Sequence, residues 1–219
     1  MTSWMIRKWP TSEYTFSGTV SRMNDISRAM EKKRAEKAKH RYAVGAESGA
    51  DWGLTLIYQA LHDKYGFGRN RFAKLNAAWE HLDSKERGFS IRWRDELCGD
   101  FGFDRFLNER DAQRLERLIT GKTKDWRLRK YVTDHVAASV IVTLHSLRHD
   151  FNWGAKRLQD LQRYIHDNID AVLKSQVPIW EFMKCLHVEC GIDYPALTAY
   201  EKQFGPVDIY RGNRGERNK

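Results

Sequence analysis

Proline and cysteine are scarce in this 219-residue chain, which holds 4 of the first and 3 of the second. So few prolines favour long helices over a fold of strands and turns. Cys98, Cys185 and Cys190 are sparse and odd in number, so a disulfide framework is not expected and a reducing cytoplasm is the default setting. No run of about 18 apolar residues occurs, so no transmembrane helix is expected. The first thirty residues carry Arg7, Lys8, Glu13, Arg22, Asp25 and Arg28 and lack the apolar stretch of a secretory signal. No GxSxG, HExxH, paired CxxC or EF-hand motif is found.

What the chain does have is apolar bulk and positive charge. The hydrophobic fraction is 41%, with 8 Trp, 9 Tyr and 10 Phe, which is enough to build a core and argues against wholesale disorder. Lys and Arg number 38 against 29 Asp and Glu, a net charge of +9. An excess of that size suits a polyanionic partner, nucleic acid above all, although it also serves solubility.

The positive charge is concentrated at the start. Residues 1–49 form a basic N-terminal segment, with a short extended piece near Tyr14–Phe16 and a helix over about 21–42 that has neither Gly nor Pro. Met23, Ile26 and Met30 give that helix a narrow apolar stripe, and Lys32, Lys33, Arg34, Lys37, Lys39 and Arg41 make its second half strongly basic. Gly45 to Gly49 is expected to break it.

An internal repeat organises the remainder. Leu54–Leu61 aligns with Val140–Leu147, and Tyr65-Gly-Phe-Gly-Arg-Asn-Arg-Phe72 aligns with Phe151-Asn-Trp-Gly-Ala-Lys-Arg-Leu158, 86 positions apart. Trp93 and Cys98 fall opposite Trp180 and Cys185, and Gly102-Phe-Asp104 opposite Gly191-Ile-Asp193. The expectation is an all-α protein built from two pseudo-equivalent copies of a three-helix unit, over 50–120 and 136–206. A basic linker and helix start occupy 121–135, and 207–219 is expected to be a disordered tail. In each copy an apolar helix (52–64; 134–149) ends at an aromatic-Gly/Asn-aromatic-Gly turn, where Gly66 or Asn152 takes the left-handed conformation. The flanking aromatics fold back, and a second helix begins near 69 or 155. A third carries Trp93 or Trp180, and the Asp after it caps the next segment.

The string Ala60-Leu-His-Asp-Lys-Tyr-Gly-Phe-Gly-Arg-Asn-Arg-Phe72, with the later Phe101-Gly-Phe-Asp104, resembles a group of small helical proteins encoded by phages and mobile elements of Gram-positive bacteria. The resemblance covers about 54–104 and, more weakly, 140–193. Members of that group usually look like a single copy, so a double copy is a departure. The resemblance implies a phage or prophage setting inside a bacterial cell and brings no catalytic residues with it.

Several motifs suggest chemistry without requiring it. Leu118-Ile-Thr-Gly-Lys-Thr123 ends like a phosphate-binding loop, but position 116 is Glu and a helix precedes it. Cys185, His187 and Cys190 have spacings poorly suited to one tetrahedral site, and His145 and His149 share a helix face four residues apart. No metal or cofactor is assigned from these. His62-Asp63 and His149-Asp150 could serve acid–base work, or more simply cap helix ends. Arg129 and His135 have a spacing that some helical ribonucleases use.

The basic groups are the best functional signal. Lys32, Lys33, Arg34, Lys37, Lys39 and Arg41 form one run, and Lys122, Lys124, Arg127, Arg129 and Lys130 around Trp126 form another. Arg69 and Arg71 in copy 1, with Lys156 and Arg157 in copy 2, head helices whose N-termini suit phosphates. The expected function is a non-enzymatic phage or mobile-element accessory protein that binds DNA, RNA or a nucleoprotein. The alternative is an anti-CRISPR-like inhibitor that binds a host defence nuclease, with Trp4, Trp9, Trp126 and Tyr210 as exposed anchors. A helical nuclease using His62, Asp63 or His149 is a third reading.

Overall fold

A computed structural model describes residues 25–83, 89–101, 109–174 and 176–210. The described residues are helical, with no strand: α1 (Asp25–Tyr65), α2 (Arg69–Asp83), α3 (Phe89–Phe101), α4 (Glu109–Thr120), α5 (Trp126–His149), α6 (Ala155–Leu173), α7 (Ile179–Cys190) and α8 (Pro195–Phe204). The all-α expectation holds for these residues. The extended piece near Tyr14–Phe16, Trp4, Trp9 and Met23 lie outside them.

α1 does not break at its glycines. It runs 41 residues, straight through Gly45, Gly49 and Gly53. These recur every fourth residue and therefore share one face. That face lies against α5. A Cβ on Gly49 would stand 2.5 Å from the Val132 carbonyl oxygen, one on Gly53 2.9 Å from that of Val136, and one on Gly45 2.8 Å from the Tyr131 Cβ. Each glycine costs about 1 kcal/mol of helix propensity. The close approach of two backbones, with the burial it allows, offsets that cost. Contacts advance in the same direction along both helices, so α1 and α5 run parallel.

The two form the centre of the protein. Residues 49–62 of α1 and 138–147 of α5 are buried on every side. α6 and α7 pack on α1, while α2 and α3 pack on α5. The core joins all of them, with Tyr58, Phe67, Phe72, Leu147, Leu158 and Phe182 almost fully enclosed. α4 adds to α5, and α8 to α7. The expected boundaries at 49/50 and 135/136 therefore fall inside helices. α5 also starts eight residues before the expected 134, because the Asp125 carboxylate accepts from the Arg127 and Leu128 amides and caps it.

At the far end the two turns have the same construction. Gly66 has φ +63° and Asn152 φ +54°. The Phe67 amide donates to the Leu61 carbonyl at 3.2 Å, and the Trp153 amide to Leu147 at 3.0 Å. These bonds close the two helix ends in the left-handed manner expected. The aromatics, however, do not simply fold back on their own helices. They cross over: Tyr65 meets Trp153 at 4.7 Å between ring centroids, and Phe67 meets Phe151 at 5.7 Å.

The tail differs from expectation in its first residues. The Tyr210 ring meets Phe182 edge-on at 4.7 Å, and the Val207 amide donates to Glu201 at 3.1 Å, so 207–210 are ordered against α7 and α8. Tyr210 is thus partly covered rather than an exposed anchor. Asp193 does not cap α8, whose N-cap is Tyr194 with no side-chain bond; the Asp193 carboxylate stands 3.4 Å from His187.

Candidate nucleic-acid interface and polar clusters

The sequence-predicted basic residues separate into two groups at opposite ends of α1. From Gly45 to Tyr65 the helix rises about 30 Å.

At the first end, α1 projects as an arm. Residues 30–40 are exposed on every face, including Met30 at 54%. The helical period puts Arg28, Lys32 and Lys39 on one side and Lys33, Arg34 and Lys37 on the other. The base of the arm is fixed. The Arg41 guanidinium pairs with Asp125 at 2.8 Å, so the residue that caps α5 also clamps α1. Tyr42 packs edge-on to Tyr131 at 5.0 Å. This clamp brings the second basic run to the foot of the first. Lys122, Lys124, Arg127 and Lys130 are exposed there, as is Trp126 at 64%. Arg127 lies over the Trp126 ring at 5.4 Å. Two members of the run have internal partners: Arg129 binds Glu116, and Lys130 meets Asp134 at 2.6 Å.

At the other end the basic residues serve the turns. Arg157 lies over Trp153 at 4.1 Å and over Tyr65 at 5.1 Å. Arg71 donates to the Tyr65 carbonyl and lies 5.5 Å over Phe67. A Cβ on Gly191 would meet the Arg69 guanidinium at 2.7 Å, which places that cation at the C-terminus of α7, where the helix dipole favours it. Lys156 is exposed beside them.

The phosphate-loop resemblance at 118–123 has a structural explanation. Gly121 has φ +62°, and its amide donates to the Arg117 carbonyl at 2.9 Å, so it ends α4. Arg129 and His135 likewise have separate duties. The His135 Nδ1 stands 2.7 Å from the Tyr131 carbonyl oxygen, its Nε2 faces the Tyr42 hydroxyl at 3.5 Å, and burial lowers its pKa.

Two polar clusters join helices distant in the chain; sequence reasoning found the His145–His149 pair of one and missed its carboxylate and the whole of the other. On the α1–α7 side, the His62 Nε2 is 2.8 Å from Glu189 and its Nδ1 2.7 Å from the Phe67 carbonyl oxygen. His62, Cys185 and Glu189 offer ligand atoms within 4.8 Å of one another. On the α3–α5 side, Glu96 stands 2.9 Å from the His149 Nε2 and 3.7 Å from that of His145. Trp93 stacks on the His145 ring at 4.0 Å. Burial, then His149, pushes the His145 imidazole down to about 4, so it is neutral near pH 7. His187 joins neither cluster: its Nδ1 is 3.0 Å from the Ile192 carbonyl oxygen. Asp63 is bound by the Gln59 amide at 2.9 Å.

A third polar group lies deep on α1. Asp51 is 8% exposed, its Oδ2 has no hydrogen-bond partner, and burial followed by Glu47 raises its carboxyl to about 7. Thr55 donates to the Asp51 carbonyl at 2.6 Å.

No family model, curated protein or solved structure matches the chain.

Proposed function

We propose that this chain binds nucleic acid through the basic first half of α1, with the 122–127 region at its foot as a second contact. One observation carries this reading: residues 30–40 are helical yet exposed on every face. A helix bare all round gains nothing from burial and would be marginal alone. Here the buried second half of α1 nucleates it. Cations on opposite sides of such a helix suit a groove with phosphates on both walls, as basic-region helices use it. Trp126 adds a ring on which an unpaired base would stack. The contacts inferred are to phosphates, and base readout is not part of the proposal. The resemblance to phage and mobile-element proteins supplies the setting, inside a bacterial cell. The reading involves no chemical step.

The test is a salt titration with a generic duplex and a single strand of the same length. Binding should weaken steeply with salt, and neutralising Lys32, Lys33, Arg34 and Lys37 to Gln should lower the slope by up to about 0.9 per lost duplex contact. An unchanged slope would refute the arm as the contact.

A second reading is capture of a host defence nuclease. It is favoured by the exposed apolar side chains Met30, Val44, Leu118 and Trp126 on the arm, α4 and the start of α5. It predicts a complex with a protein that survives high salt and no binding to naked duplex.

We also infer that the two halves are copies of one unit. The matching turns support this, as does the reciprocal packing of α2 and α3 on α5 against α6 and α7 on α1. Fragments divided within 121–124 should then fold only when co-expressed. A half that folds alone would contradict this exchange of partners.

A further inference from the structure

We propose that His62, Cys185 and Glu189 form a binding site for a zinc-type divalent metal ion, pinning α1 to α7. The argument begins with the proton on His62. Its Nδ1 is 2.7 Å from the Phe67 carbonyl oxygen, which can only accept, so Nδ1 carries the hydrogen. That leaves the Nε2 lone pair facing the Glu189 carboxylate at 2.8 Å. Two acceptors at that distance repel unless a proton or a cation lies between them. A carbonyl on Nδ1, with Nε2 turned toward the ion, is also how protein histidines are oriented for metals.

The third donor favours the cation. Cys185 and Glu189 are one helical turn apart on α7, and the three ligand atoms all lie within 4.8 Å of one another. Zinc bonds of about 2.0–2.3 Å in a tetrahedron need ligand atoms roughly 3.3–3.8 Å apart. Every pair of these ligand atoms is within about 1.5 Å of that spacing. Cys185 is 3% exposed, and the Gln59 amide approaches its sulfur at 3.9 Å, a donor placed for a thiolate. An imidazole, a thiolate and one carboxylate select zinc or cobalt over magnesium or calcium. Binding releases the Cys185 proton to solvent, and three protein ligands leave a fourth position for water. Cys190 is not a ligand here, since its sulfur lies 3.4 Å from Nδ1, on the carbonyl side.

The α3–α5 cluster is the natural comparison. It has two imidazoles and a carboxylate but no thiol, and the buried His145 Nδ1 has no hydrogen-bond partner. Cobalt distinguishes the two. The full chain, stripped with a chelator, is titrated with Co²⁺ and followed by absorption. The proposal predicts one equivalent bound, with visible tetrahedral bands and a near-ultraviolet thiolate-to-cobalt charge-transfer band, both abolished by Zn²⁺. Cys185→Ser should remove the charge-transfer band, and Glu189→Gln should weaken cobalt binding by more than about tenfold. His149→Ala and Cys98→Ala should leave the spectrum intact. Circular dichroism confirms that each variant is folded, and the wild-type band stands as evidence if Cys185→Ser is not. Visible bands without charge transfer, lost in His149→Ala, would place the ion at the other cluster and overturn the proposal. No cobalt spectrum at all would mean that a proton fills the gap, which also overturns it.

Discussion

The two halves of α1 belong to one helix and live in opposite environments. Residues 30–40 are exposed on every face, and residues 49–62 are buried on every face. Neither half is amphipathic in the ordinary sense: the narrow sequence stripe of Met23, Ile26 and Met30 does not continue along residues 31–40, and the second half is buried on every face. The first half is polar on nearly every face, Met30 apart, and stands clear of the body. The second is buried all round because α5 approaches one side through the glycines and α6 and α7 cover the others. A single helix can thus be core and appendage, with Arg41 and Asp125 marking where one becomes the other.

Substitutions of similar size should separate the halves sharply. Gly49→Val would press its Cβ into the Val132 carbonyl and should cost about 3 kcal/mol or more, the upper end of overpacking. Ala35→Leu in the arm should change stability by less than about 0.5 kcal/mol. Urea unfolding of the two variants checks the contrast; equal losses would mean that the arm is packed.

The buried half should also shape the response to pH. The Asp51 carboxyl is raised from 3.8 to about 7. The folded state therefore keeps a proton that the unfolded chain loses, and stability falls as pH rises between these values, by something of order 4 kcal/mol in full. His145 acts in the opposite sense. Its imidazole is lowered from 6.5 to about 4, so stability falls as pH drops through that interval, by roughly 3 kcal/mol. His135, lowered by burial, adds to the second trend. The wild type should show a shallow profile between pH 4 and 6.5. Asp51→Asn should expose the loss on acidification, and His145→Phe the loss on raising pH. Unfolding curves at three pH values decide; parallel profiles for all three proteins would refute the assignment.

A smaller effect belongs to the turns. Arg157→Ala removes a cation from over Trp153 and Tyr65 and should cost about 1 kcal/mol, seen as a modest fall in Tm. Smallest of all is the effect on stability of the fourfold arm substitution to Gln at Lys32, Lys33, Arg34 and Lys37. It should leave the urea midpoint nearly unchanged while lowering affinity for a duplex.

Much of this was legible in residue order, and the failures have physical causes. Tyr65-Gly-Phe-Gly and Phe151-Asn-Trp-Gly announce two helix ends closed by left-handed residues, and Gly66 and Asn152 close them. Gly45 and Gly49 were misread as a break, although with Gly53 they recur every fourth residue on one helical face. Judged singly they suggest a break, because a glycine's penalty is local and its reward, a neighbouring backbone, is not. Asp125 ahead of Trp126 was a usable N-cap signal for α5, hidden by the charged first turn that follows it. The polar clusters could be seen only in part, as the His145–His149 pair on one helix face without its Glu96. His62 and Glu189 are 127 positions apart, and their meeting depends on α7 packing against the helix of the other half. The basic groups were visible as a composition, while their division between arm and turns required the fold.

The most direct test is amide hydrogen exchange along α1, with and without a duplex at low salt. The account predicts fast exchange over 30–40, exchange over 49–62 only through global unfolding, and duplex-induced protection confined to about 28–41 and 122–130. Protection at 66–71 and 153–157 instead, or none anywhere at saturating duplex, would contradict it.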